Sequence, residues 1–271
     1  MAFDLSLIRL REGPSSTWRG WTSAVAIAAL LILWETVARI IAASGGPSTF
    51  FPGVFQVLAT GSSMVMTKEF WWAFLASNLR VLAGFILAAS LAVPLGVFLG
   101  AFPRAGGFVA PVTDFGRYLP VPALVPLSII WAGVGDLQKI LVLLIGTFFH
   151  ILVMVTDSIR RVPQLHVDSA LTLGATPIRV VLRVLLPASL PQIFDACRVG
   201  VALTWSYLIV AELVASEVGL GALIIRAQRF LQTDRIFFTI LVLGLLGLLY
   251  DRAFTALRPR LFAWAQEEAR R

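Results

Sequence analysis

Six runs of about twenty apolar residues, near 21–43, 74–101, 108–133, 138–157, 191–214 and 236–257, set the frame of this 271-residue chain. A helix needs roughly 20 such residues to cross the hydrocarbon core of a bilayer. With 58% hydrophobic and 14% charged residues, a soluble domain of this size is excluded. The expectation is an all-α, polytopic membrane protein with about six transmembrane helices.

The charged residues then set its orientation. Arg9, Arg11, Arg19, Arg104, Arg160, Arg161, Arg179, Arg183, Arg258, Arg260, Arg270 and Arg271 fall on one side of such a bundle, and Lys68, Arg226, Arg229 and Arg235 on the other. The positive-inside rule puts both termini and the 158–190 connection in the cytoplasm of a bacterial inner-membrane protein. The division follows: a cytoplasmic segment 1–20, a transmembrane domain 21–257 and a cytoplasmic tail 258–271. The net charge of +7 sits in short segments flanking apolar runs, which suits lipid headgroups and topology rather than nucleic acid. The first run is longer than a signal-peptide core and lacks a clear small-x-small cleavage site, so it reads as a retained anchor. Cys197 is the single cysteine and lies in an apolar segment, which excludes a disulfide framework and a cysteine metal site.

Between the first two runs, Ser44-Gly45-Gly46-Pro47-Ser48 leads into Val54, Val57 and Leu58 at helical spacing and then Phe70, Trp71 and Trp72, which predicts an outer amphipathic helix and an interfacial belt. Gly219-Leu220-Gly221 followed by Ile224, Ile225, Gln228 and Phe230 predicts a surface or re-entrant helix at the outer mouth. In the second run Gly84, Ala88, Ala92, Gly96 and Gly100 place a small residue every four positions on one face, suited to close helix packing within the subunit or across a dimer. Pro94 predicts a local bend there.

The third run carries Pro111, Pro120, Pro122 and Pro126, which predict repeated breaks; broken helices at membrane depth survive where protein or a water-filled cavity satisfies the freed carbonyls. Pro120, Pro122 and Pro126 are therefore candidates for the lining of a translocation path. Ionisable and polar residues at depth extend that list to His150, Trp205, Tyr207 and Glu212. Glu212 reads either as the partner of an arginine or as a substrate or gate residue, and His150 either as a donor to a neighbouring helix or as a pathway residue. Asp114 with Arg117, and Asp195 with Arg198, stand three apart and are expected to pair locally. A lone histidine makes a poor metal site, and no G-x-x-x-x-G-K-[ST] phosphate loop is present, so neither a metal nor ATP is expected on this chain.

The 158–190 connection has its own pattern. Asp168-Ser169-Ala170-Leu171-Thr172-Leu173-Gly174 is a short helix with Asp168 at its start and Gly174 at its stop. After Ala175, Thr176 is placed to cap the next helix, Pro177 suits its first turn, and Val184-Leu185-Leu186-Pro187 ends it at Pro187. Ala170 and Gly174, four apart, would give a small-residue docking face.

This loop resembles the "EAA" loop of binding-protein-dependent ABC importer permeases, with Asp168-Ser169-Ala170 in place of the usual Glu-Ala-Ala. Phe51-Pro52, Asn78-Leu79-Arg80-Val81-Leu82-Ala83-Gly84-Phe85, Leu119-Pro120-Val121-Pro122-Ala123-Leu124-Val125-Pro126-Leu127, Ala211-Glu212-Leu213, Gly219-Leu220-Gly221 and Gly247-Leu248-Leu249-Tyr250-Asp251-Arg252 are similar to the nitrate/sulfonate/taurine branch, over about residues 50–260. The resemblance implies the type I ABC importer permease fold and a non-catalytic transport subunit without cofactor. It further implies ATPase subunits on the coupling loop, a second permease copy, a periplasmic or lipid-anchored solute-binding protein, alternating access and a small oxyanion as solute. The rivals are a secondary transporter and a membrane enzyme; inverted repeats, a mid-membrane acidic relay or a nucleophile cluster would mark them, and none is evident.

Overall fold

The computed structural model describes residues 16–44 and 50–264, and every regular element among them is helical. In chain order these are α1 (Ser16–Ala43), α2 (Val54–Val65), α3 (Lys68–Ala101), α4 (Pro103–Tyr118), α5 (Val121–Ala132), α6 (Asp136–Arg160), α7 (Gln164–Thr172), α8 (Pro177–Val180), α9 (Leu186–Ala215), α10 (Leu220–Arg229) and α11 (Thr233–Leu261). The readings made for Arg9, Arg11, the Gly45–Ser48 stretch, Arg270 and Arg271, and for the side chain of Arg19, lie outside the described residues.

Five helical stretches are long and apolar enough to cross a bilayer: α1, α3, α6, the run from α8 through α9, and α11. The pair α4 and α5 meets the same measure only when taken together, and it is bent by 95° between Tyr118 and Val121. Pro120 restricts Leu119 to an extended backbone (φ −62°, ψ 126°), which ends α4. The repeated breaks expected from four prolines reduce to this one. Pro111 lies inside α4, Pro122 in the first turn of α5 and Pro126 within it, and Pro94 is likewise carried inside α3.

The α3–α6 seam explains the small-residue stripe. Gly84, Ala88, Ala92, Gly96 and Gly100 are all buried. A Cβ added at Gly84 would stand 2.5 Å from the Leu143 Cβ, at Gly96 2.8 Å from that of Val155, and at Gly100 2.6 Å from that of Ile159. The stripe therefore packs within the subunit. Around it lie two apolar clusters, one of Phe70, Val81, Leu143, Leu208 and Leu220, the other of Leu99, Ile151, Val155, Ile159 and Val181.

By contrast α1 is tethered at few points. Its Glu35 carboxylate accepts the Val54 N–H at 2.9 Å and so caps α2, and Trp34 Nε1 donates to the Pro52 carbonyl at 3.0 Å. The expected amphipathic helix is α2, held to α11 by Gly61 beneath the Phe238 ring and by Thr60 Oγ1 donating to Asp234 at 2.6 Å.

Candidate functional site

The helix–turn–helix between α6 and α9 forms as expected at its turn. Gly174 has φ +82°, its N–H bonds the Leu171 carbonyl at 2.9 Å, and the Ala175 N–H bonds that of Ala170 at 3.0 Å. That double closure is a Schellman cap, and the positive φ is what requires glycine. Three details differ from the sequence reading. Helix α7 starts at Gln164, so Asp168 lies in its middle, hydrogen-bonded by Gln164 Nε2 at 3.0 Å, rather than in the first turn where a helix dipole favours a carboxylate. Thr176 occupies the N-cap position of α8 but makes no side-chain cap. Pro187 does not stop the helix: a π-helical turn at Val181–Leu185 leads directly into α9. An extra residue in that turn relieves the clash a proline ring makes with the carbonyl four residues back.

The inner side of α7 is also reassigned. Ala170 is half-buried and, with Val167 and Ala175, packs against the subunit's own apolar cluster, so it does not share an outward face with Gly174. The outward face carries Leu165, Asp168, Ser169 and Thr172, followed by Leu173, all exposed. Ser169 and Thr172 turn their hydroxyls onto their own helix's carbonyls. Leu171 is exposed beside them, whereas Leu186 and Pro187 are half-buried against the bundle.

At the opposite end, Glu212 is sealed. Arg80 Nη1 donates to its Oε1 at 2.5 Å, Ser77 Oγ donates at 2.8 Å, and the Gly221 N–H reaches Oε2 at 2.8 Å. Ser77 also accepts the Leu220 N–H at 2.9 Å, and Arg80 extends to Asp136 and to the Val218 carbonyl, both at 2.7 Å. The cluster ties α3, α6, α9 and the start of α10 together, and Gly221 is required because a Cβ there would stand 2.5 Å from the Glu212 Cβ. Of the two readings for Glu212, the geometry is that of the ion pair. Its partner, 132 positions away, was not singled out, although an arginine and a glutamate near the same ends of two apolar runs are the available signal.

The elbow between α4 and α5 carries the charged pair Asp114 and Arg117. Arg117 Nη2 lies 3.3 Å from both Asp114 Oδ1 and the Tyr118 hydroxyl, and the guanidinium sits 4.9 Å from the Tyr118 ring centre. The expected i, i+3 pair thus forms here. It does not form between Asp195 and Arg198: Arg198 pairs with Asp251 and Asp195 with Arg258, because α11 lies alongside α9 and offers each a partner of opposite sign. Pro120, Pro122 and Pro126 face away from α6, to which α5 presents Val121, Val125 and Ser128. His150 turns back on its own helix, Nδ1 donating to the Gly146 carbonyl at 2.9 Å rather than to a neighbouring helix, with the Tyr207 ring 6.2 Å away. Trp205 is buried beside Tyr250 in the apolar core, away from the elbow. Among the described residues no grouping of His, Cys, Asp and Glu is suited to a metal.

A bundle of five apolar helices and one bent helical pair, with a capped helical loop at one end, is the architecture of a type I importer permease. The chain in an inward-facing structure of the MetNI methionine ABC transporter superposes with a TM-score of 0.65, over 72% of this chain and 99% of that one, at 19% identity. Residues 92–263 match the family described as binding-protein-dependent transport system inner membrane component, and the chain belongs to that family, in its nitrate/sulfonate/taurine branch. The taurine transport system permease of Escherichia coli is 32% identical over 89% of this chain and 88% of its own. A putative aliphatic sulfonates transport permease of Bacillus subtilis is 28% identical over 94% and 92%, and a bicarbonate transport permease of Synechocystis 29% over 71% and 69%. The protein is thus a multi-pass membrane permease of a binding-protein-dependent system.

Proposed function

We propose that this chain is the path-forming subunit of an ATP-driven importer of a small anionic solute. The observation that carries the reading is α7: a short helix locked by a Schellman cap, packed on the bundle through Val167 and Ala170, with apolar Leu165, Leu171 and Leu173 turned outward. Exposed leucines on a rigid element outside the apolar crossings mark a protein interface, and the family supplies the partner class, an ABC ATPase. Because the π turn joins α8 to α9 without interruption, a push on this loop is transmitted along the fifth crossing, which supports alternating access. Two copies of the permease, cytoplasmic termini and a separate solute-binding protein complete the assembly. The solute class rests on relatives named for taurine, sulfonates and bicarbonate.

The test is Leu165→Asp, on the outward face of α7. The variant should insert in the membrane normally, fail to copurify with the ATPase and lose binding-protein-stimulated ATP hydrolysis, while Arg183→Ala is milder. Wild-type copurification and uptake in Leu165→Asp would remove α7 as the docking element.

A further inference from the structure

We infer that Arg117, at the elbow of the broken third crossing, is the side chain that meets the anionic head of the solute inside the translocation path. The inference rests on the solute class proposed above. Its first support is depth. Helix α4 runs beside α6, with Gly106 against Arg160 at one end and Gly116 beneath the Phe149 ring at the other, while α6 spans Asp136–Arg160. Arg117 therefore stands level with the middle of α6. At that depth Arg117 and Asp114 remain 36% and 54% exposed, and their i, i+3 spacing turns both toward the same side of the elbow. Charged side chains open at mid-membrane face a bundle interior or water, not lipid.

The second support is unused bonding capacity. Arg117 makes two polar contacts, both at 3.3 Å and both through Nη2; its Nε is buried against the protein without a partner, and Nη1 is the donor left for a solute. Arg80, by comparison, uses Nε, Nη1 and Nη2 at 2.5–2.7 Å. A cavity of about 250 Å³ runs between α4 and α6 from Arg117 at the elbow to Arg160 at the other end, with Thr113, Asp114, Thr156 and Asp157 along its wall. A permease–permease contact would exclude such charge from its centre, whereas a hydrated path accommodates it. A planar guanidinium suits an oxyanion, and Asp114 is a loosely held counter-ion that an entering anion can replace.

The test uses the permease reconstituted in proteoliposomes with its ATPase and binding protein, and radiolabelled taurine, ethanesulfonate and bicarbonate as probes. For whichever probe the binding protein holds, Arg117→Ala should lower uptake about tenfold or more. Assembly with the ATPase should be unchanged, and Arg117→Lys should restore a large part of the uptake. Unchanged uptake in Arg117→Ala overturns the site alone. Lost assembly not recovered by lysine overturns it in favour of a structural contact. A binding protein that holds none of the three anions overturns the solute class itself, independently of any Arg117 variant.

Discussion

Two arginines in neighbouring crossings are held in opposite ways. Arg80 is 8% exposed and closed in by Glu212, Asp136 and the Val218 carbonyl; Arg117 is 36% exposed and touches Asp114 and Tyr118 at the edge of hydrogen-bond reach. Glu212 itself is fully buried, while Asp114 is more than half exposed. The same chemical pair is mortar at one level and an open contact at the other. What separates them is saturation: where every nitrogen of a buried guanidinium is bonded, as in Arg80, the charge specifies a fold, and where an accessible nitrogen is left over beside a polar cavity, as Nη1 of Arg117 is, the charge is available to something that arrives.

That contrast breaks most visibly at the sealed pair. Glu212→Ala leaves Arg80 buried with a single carboxylate at a largely exposed aspartate, and removing one partner of a buried ion pair costs about 3–5 kcal/mol. Thermal unfolding in detergent should shift down by many degrees or the protein should fail to accumulate. A variant as stable as the parent would mean that water reaches the site. Next in size is Ser77→Ala, which takes one hydroxyl from Glu212 and orphans the buried Leu220 N–H, at a cost of about 1–3 kcal/mol. The α9–α10 turn should then loosen first, as faster amide exchange at Leu220 and Gly221. Uniform exchange across the bundle would show that Ser77 does not hold the turn.

The apolar frame was legible because membrane spans announce themselves by length and composition, and α3, α6 and α11 differ from their expected limits by a few residues at the ends, where polar caps and interfacial residues extend a helix beyond its hydrocarbon run. Gly174 was legible too, since one residue type serves a left-handed cap. What sequence could not show is pairing across distance: Arg80 with Glu212, Arg198 with Asp251 and Arg258 with Asp195 each depend on which helices lie side by side. Nor could it show that Pro187 is absorbed by a π turn, or that Ala170 faces inward, because both follow from how α8 and α9 seat on the bundle. A proline's effect depends on whether the carbonyl it displaces finds room, which is a property of neighbours.

The smallest stability effect is the sharpest form of the comparison. Asp114→Asn removes the charge that faces Arg117 but keeps the shape and an acceptor oxygen, so it imitates Glu212→Gln in chemistry and differs only in surroundings. An ion pair that water can reach contributes about 0–1 kcal/mol, and the 3.3 Å separation and half-exposed side chains put this pair in that class. Unfolding of Asp114→Asn in detergent should therefore shift by no more than a degree or two, with Arg117 now solvated instead of paired. Uptake should persist, because the guanidinium that meets the anion is still present and its internal competitor is gone. A loss of stability as large as that of Glu212→Ala would mean that the elbow is sealed in the assembled transporter, and the distinction between closed and open charge would fall.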